Sequence, residues 1–193
     1  MTTQTNPYPA RLEVDYPEEL DRLSTFFRLI WILPIAVIVG FLSAAGEGML
    51  GAVMLMILFR LKYPRWWFDF TRELTRLETR FAAYLALLTD RYPSTDEEQS
   101  VRLEIDYPDA ERELNRWLPL VKWLLAVPHY VVLAFLLTGA VFAVLIAWFA
   151  ILFTGRFPRE LFDYVVGVGR WGLRVQAYAV LLVTDRYPPF SLR

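Results

Sequence analysis

Two uncharged runs dominate the hydropathy pattern of the chain: Leu29 to Phe59, interrupted only by Glu47, and Trp123 to Phe153, which contains His129. Each is 31 residues long. A single straight helix of that length measures roughly 46 Å at ~1.5 Å per residue, well beyond the ~30 Å hydrocarbon core of a bilayer, whereas two full spans want about 40 residues. Charge arbitrates. Three basic residues lie between Arg11 and Arg28, ten between Arg60 and Arg116, then Lys122, and six between Arg156 and Arg193. A single crossing per run would put the central ten opposite both ends, against the positive-inside bias; a fold-back per run keeps all of them on one face. The pattern therefore predicts two membrane hairpins, 26–61 and 117–155, turning at Ser43–Gly48 and Leu137–Gly139. Pro34 and Pro128 are expected to kink the first helix of each hairpin. Arg28 and Lys122 are expected to snorkel to headgroups, and Glu47 to be a solvated turn residue.

After each run the period changes. Trp67, Phe70, Leu74, Leu77, Phe81, Tyr84 and Leu88 recur at steps of three and four, predicting an amphipathic helix over 65–88. Its counterpart over 159–183 is more apolar and carries Gly167, Gly169 and Gly172. Both read as interfacial helices on the cytoplasmic leaflet. Before each run the period is two: Leu12, Val14 and Tyr16 alternate with Arg11, Glu13 and Asp15, predicting a strand over 10–16, and the same alternation predicts another over 101–107. One strand per half suggests that the two pair, since a lone strand in water has little to hold it.

These halves are copies. Arg11 to Glu18 (RLEVDYPE) matches Arg102 to Asp109 (RLEIDYPD) at an offset of 91; Pro64-Arg65 and Phe68-Asp69 match Pro158-Arg159 and Phe162-Asp163 at 94; and TDRYP at 89–93 returns unchanged at 184–188. The chain is two tandem repeats, 1–94 and 95–193. TDRYP reads as a repeat terminator, its Arg reaching toward lipid phosphate or the last helical carbonyls, its Tyr at the interface and its Pro preventing continuation.

Composition narrows the chemistry. The chain is 56% hydrophobic, with 20 basic and 21 acidic residues, one His and no Cys. That excludes disulfides, thiol nucleophiles and Cys-ligated metals, and a net charge of −1 gives no signal for nucleic acid. The first 25 residues lack an apolar core, so targeting is expected from the internal runs rather than a cleavable signal. No paired carboxylates, phosphate loop or nucleophile with its base accompanies the runs, and neither enzymatic activity nor a cofactor or metal is expected.

The repeats supply an internal comparison of charges. Arg65, Asp69, Arg76 and Arg80 are matched by Arg159, Asp163, Arg170 and Arg174, and at ~100° per residue each set falls within roughly 60° of arc. This stripe binds lipid phosphates or an acidic partner on one reading; on the other it is the wet face of an interfacial helix, each Asp paired with the Arg four residues earlier. His129, aligned with Ile35, is either an intramembrane functional group or a neutral ring hydrogen-bonded within the bundle.

The strings LVKWLLAVPHYVV (120–132), IAWFAILFTGRFPRELFDYVVGVGRW (146–171) and TDRYPPFSL (184–192) resemble the bacterial membrane-protein family catalogued as domain of unknown function 4389. The first repeat looks like a diverged copy, with Pro34-Ile-Ala for Pro128-His-Tyr. The resemblance implies an integral protein of the bacterial inner membrane and no assigned activity. The expectation is an all-α membrane protein of two hairpin-plus-amphipathic-helix repeats, both termini cytoplasmic. It would act as a non-enzymatic scaffold or accessory subunit contacting anionic lipid headgroups and a membrane partner or another copy of itself, and could shape the membrane. An oligomeric channel or transporter component is the alternative.

Overall fold

The computed structural model describes residues 8–94 and 97–193. In chain order the elements are β1 (Ala10–Val14), α1 (Arg22–Trp31), α2 (Leu33–Arg60), α3 (Arg65–Leu85), β2 (Val101–Ile105), α4 (Ala110–Glu113), α5 (Pro119–Leu125), α6 (Val127–Thr154) and α7 (Arg159–Ala179). The fold is mostly helical, with one two-stranded antiparallel sheet and two tandem units.

The strands pair because their sequence is self-complementary. The register sets Ala10 opposite Ile105, Leu12 opposite Leu103 and Val14 opposite Val101, giving one apolar face. It also sets Arg11 opposite Glu104 and Glu13 opposite Arg102, so antiparallel pairing of two R-x-E motifs puts base on acid twice. Arg11 bridges Glu104 and Asp106, both at 3.1 Å, while Arg102 lies 2.7 Å from Asp15 and 3.6 Å from Glu13.

Neither apolar run folds back. Residues 43–48 lie inside α2 and residues 137–139 inside α6, both uninterrupted helices of 28 residues, so the two expected hairpin turns are corrected to continuous helix. Of the glycines read as turn signals, Gly46 and Gly139 serve close approach between helices instead, while Gly48 has open space around it. A Cβ on Gly46 would sit 3.2 Å from Leu74 Cδ2 of α3, and one on Gly139 would sit 2.6 Å from the Tyr164 hydroxyl of α7. The interruption expected at Pro34 and Pro128 is a one-residue break just ahead of each proline. Each occupies the first turn of its long helix, where a missing N–H breaks no intrahelical bond. The break falls just before, at Ile32 and Ala126, separating short α1 and α5 from α2 and α6.

The hairpins that do exist pair α2 with α3 and α6 with α7. Ser43 meets Glu78, Gly46 meets Leu74, and Ile35 and Val39 cluster with Leu77 and Tyr84, so α3 runs antiparallel beside most of α2. His129 and Leu136 meet Trp171 and Tyr164 in the same sense. The strands are exchanged: β1 of the first repeat packs on α7 of the second, and β2 packs on α3. Tyr16 donates to Phe157 O at 2.5 Å and Tyr107 to Tyr63 O at 2.6 Å, each rooting one repeat's strand exit in the other's helix junction.

Large apolar side chains at the surface are carried almost entirely by α1, α2, α5 and α6, among them Phe41, Phe59, Phe135 and Phe153, each at least 73% exposed. On α3 only Trp66 and Leu85 are of this kind, and none is on α7. α2 and α6 are long and apolar enough to cross a membrane, and only 17% and 22% of their apolar windows are buried.

Candidate functional site

The matched stripe divides along its length. At its start Arg65 and Arg159 remain about two-thirds exposed and pair with Asp69 and Asp163, four residues on, at 3.7 and 3.4 Å. Both guanidinium groups also cover a tyrosine of the other repeat, Arg65 over Tyr107 at 4.5 Å and Arg159 over Tyr16 at 4.4 Å. Farther along, three of the four arginines reach backbone carbonyls and the fourth pairs within its own helix. Arg76 is held by Glu73 at 2.7 Å, Arg170 donates to Leu12 O of β1 at 2.9 Å, Arg80 donates to Ser94 O, and Arg174 donates to Ser191 O and Arg193 O. Arg80 and Arg174 are only 7% and 9% exposed. Burial pulls both below the ordinary arginine value, with Arg76 and Arg170 adding repulsion. The stripe therefore presents one exposed Arg–Asp pair per repeat and uses Arg80, Arg170 and Arg174 to tie down backbone, while Arg76 pairs with Glu73 of its own helix.

TDRYP closes a clasp. The helices end at Leu85 and Ala179, before the motif, and the chain then passes through the left-handed residues Leu87 and Leu182. This brings Asp90 onto Arg28, which also donates to Tyr84 O at 2.8 Å and Thr89 O at 2.7 Å. In the second repeat Asp185 lies 2.7 Å from Lys122, which donates to Thr184 O at 2.7 Å. Each acid accepts a further bond from a backbone N–H ahead of α1 or α5, Asp21 in one repeat and Asn115 in the other. Each base lies against a tyrosine ring, Tyr84 or Tyr178. Arg28 is 2% and Lys122 0% exposed, so the expected snorkelling is corrected: both are buried ion-paired anchors. Each base reaches back from α1 or α5 to a partner in the motif because the α2–α3 and α6–α7 hairpins return the chain to its starting end.

His129 is wholly buried in an aromatic box. Trp171 Nε1 donates to its Nδ1 at 3.0 Å, Phe190 stacks on it with centroids 4.0 Å apart, and Tyr187 lies at 4.8 Å. An accepting Nδ1 puts the proton of the neutral ring on Nε2, which has no hydrogen-bond partner among the described residues. Among the described residues no group of three His, Asp or Glu stands where it could hold a metal ion.

A family model for a domain of unknown function, DUF4389, matches residues 22–95 and again 117–191. The chain belongs to that family. The two DUF4389 matches begin at α1 and just before α5 and end just after TDRYP, so they enclose both buried ion pairs and leave both strands and α4 outside. No curated protein and no solved structure matches the chain.

The DUF4389 repeats also differ in charge between α2 and α3, where Glu47 and Glu78 stand opposite Val141 and Gly172 of the second copy. Glu47, expected in a solvated turn, stands at the middle of α2 one turn from Ser43, whose hydroxyl donates to Glu78 Oε1 at 2.5 Å. These residues line a cleft of about 100 Å³ between α2, α3 and the end of α7. Its signal was present as spacing: Ser43 and Glu47 at i, i+4 on one helix, and Thr71, Thr75 and Glu78 at i, i+4, i+7 on the other.

Proposed function

We propose that the chain is a non-enzymatic integral membrane protein that serves as a scaffold or accessory subunit in the bacterial inner membrane, with α1, α2, α5 and α6 in lipid and the charged faces of α3 and α7 toward cytoplasmic water. The observation that carries this reading is the exposure of the two long apolar helices. In a water-soluble protein the hydrophobic effect would bury such helices in a core, and an exposed apolar surface of this extent marks a lipid or protein contact.

The packing of α3 also bears on how the helices enter. α3 carries seven charged residues and runs antiparallel beside most of α2, so water must lie within about one helix diameter of α2 along that length. At ~1.5 Å per residue α2 is also about 42 Å long, more than the ~30 Å core it would cross. Embedding from one side satisfies both facts and keeps every basic cluster on one face without hairpin turns. Wide insertion into one leaflet expands it relative to the other, which makes membrane shaping part of the same proposal. Arg65 and Arg159 are the groups placed to meet anionic headgroups, and the apolar faces are free for a membrane partner or a second copy.

Single cysteines in place of Lys62, just past the end of α2, and Arg91, beside the α1 end of the same repeat, test the topology. One-sided embedding predicts labelling of both from the cytoplasm; labelling from opposite sides means that α2 spans. Release of the protein from membranes by alkaline carbonate would reject the integral reading. Ion flux in a planar bilayer would reject the scaffold in favour of a channel component.

A further inference from the structure

Among the described residues nearly every Arg and Lys side chain is engaged by an acid, a backbone carbonyl or an aromatic ring. The exceptions are Arg22, Arg60, Lys62, Arg116, Arg156 and Arg193, all of them exposed. Arg193 aside, these bases stand where the apolar helices begin or end: Arg22 opens α1, Arg116 precedes α5, Arg60 and Lys62 flank the end of α2, and Arg156 follows α6. At an offset of 94 the two repeats match Arg22 with Arg116 and Lys62 with Arg156. The unpaired charge is therefore placed alike in both copies.

The fold joins these bases across the repeats. Leu20 donates its N–H to Gly155 O at 2.9 Å, and a Cβ on Gly155 would lie 3.8 Å from both Nε and Nη2 of Arg22, so this guanidinium lies against the turn that carries Arg156. α1 is fixed there by α6, whose Trp148 donates Nε1–H to Thr25 O at 3.3 Å and stacks on Phe26. α5 packs on α2 in the corresponding way, and Leu61 takes the left-handed conformation that Gly155 takes in the second repeat. Each junction thus draws bases from both repeats. The acids near them in sequence are committed elsewhere or form no ion pair: Asp21 caps α1 by accepting from Ser24 N, Asp185 holds Lys122, and Glu18, Glu19 and Glu160 pair with no base among the described residues. Like charges held close repel, and an anion between them turns repulsion into attraction. The neighbours say what that anion is attached to. Leu23, Phe26 and Phe153 flank the first junction, and Phe59 and Trp117 the second, all large apolar side chains at the surface. Bases beside exposed hydrocarbon at the end of an apolar helix fit the phosphate of an anionic lipid, whose acyl chains cover what a free phosphate would leave bare.

We propose that each junction binds the phosphate of one anionic phospholipid, through Arg22 and Arg156 at one and through Arg116, Arg60 and Lys62 at the other. The inference rests on the lipid contact of the proposed function and names the bases that hold the phosphate, since Asp69 and Asp163 already meet the charge of Arg65 and Arg159. The experiment places the full chain in nanodiscs of phosphatidylcholine with a rising share of phosphatidylglycerol, read by thermal unfolding and by native mass spectrometry for retained lipid. The expected result is a saturable rise in Tm and selective retention of phosphatidylglycerol, one molecule per junction. Arg22→Gln/Arg156→Gln should remove one retained molecule and Arg60→Gln/Lys62→Gln/Arg116→Gln the other. Arg22→Lys/Arg156→Lys should keep both, and Arg112→Gln on α4, an exposed base paired with Asp109, should change neither. Because the substituted bases hold no protein partner, Tm in pure phosphatidylcholine should stay at the wild-type value. No preference for phosphatidylglycerol, retention indifferent to both sets of Gln substitutions, or an equal rise in Tm from inorganic phosphate added to phosphatidylcholine discs would overturn the proposal. Retention lost only in Arg65→Gln/Arg159→Gln would overturn it as well, while leaving headgroup contact at the stripe standing. Alkaline carbonate separates the two readings: a chain it releases fails the membrane reading, whereas a chain that stays but shows no selectivity fails this inference alone.

Discussion

Lys122 Nζ and Asp185 Oδ1 lie 2.7 Å apart, with the lysine wholly enclosed and the aspartate mostly so. The bond joins the helix that opens the second repeat to the motif that closes it, 63 residues later, and Arg28 with Asp90 does the same in the first repeat. Losing one member leaves an uncompensated buried charge, which costs about 3–5 kcal/mol; replacing both members by apolar side chains avoids most of that penalty. Asp185→Leu should therefore destabilise strongly, and Lys122→Met/Asp185→Leu should recover much of the loss. Denaturant unfolding of the two variants in nanodiscs checks this, and simple additivity would show that the pair is not coupled.

How much of this was legible differs by element. The strands could be read, and their pairing anticipated, because R-L-E-V-D and R-L-E-I-D carry alternation and charge complementarity in the letters themselves. The amphipathic period of α3 was equally open. The hairpin turns were misread because glycine signals a bend and a close helix contact in the same way; only the tertiary partner, Leu74 for Gly46 and Tyr164 for Gly139, separates the two. A lone base beside an apolar run likewise looks the same whether it snorkels or is buried. The clue that Arg28 and Lys122 are buried was their co-occurrence, in both repeats, with an Asp of TDRYP. For the stripe, periodicity grouped neighbouring residues, but which arginines face inward depends on carbonyls outside the helix, such as Ser94 O of a loop and Leu12 O of β1, that no helical period encodes.

Gly139 tests the packing origin of the apparent turn. An added methyl would meet the Tyr164 hydroxyl at 2.6 Å, so Gly139→Ala should cost about 1–3 kcal/mol through overpacking. Tyr164→Phe, which removes that hydroxyl and restores the Phe70 arrangement of the first repeat, should rescue part of the loss. Gly40→Ala on α2, with open space around it, should be neutral or stabilising by up to about 1 kcal/mol on helix propensity alone. Equal penalties at the two glycines would favour a backbone role over a packing one.

Exchange of strands between repeats makes the hydroxyls of Tyr16 and Tyr107 symmetric ties. Each donates to a carbonyl at the start of the other repeat's second hairpin helix, Phe157 O or Tyr63 O, and each ring meets a phenylalanine edge-on, Phe162 at 4.9 Å or Phe68 at 5.0 Å. Removing only the hydroxyl should cost about 1 kcal/mol per site, since the ring contact remains. Tyr16→Phe/Tyr107→Phe should cost less than the sum of the singles if the two ties hold one interface, because the first loss has already weakened the second. Hydrogen exchange supplies the structural readout: backbone amides of β1 and β2 should lose protection together in the double variant, while those of α2 and α6 keep theirs. Protection lost in one strand alone would mean that each repeat holds its visiting strand independently.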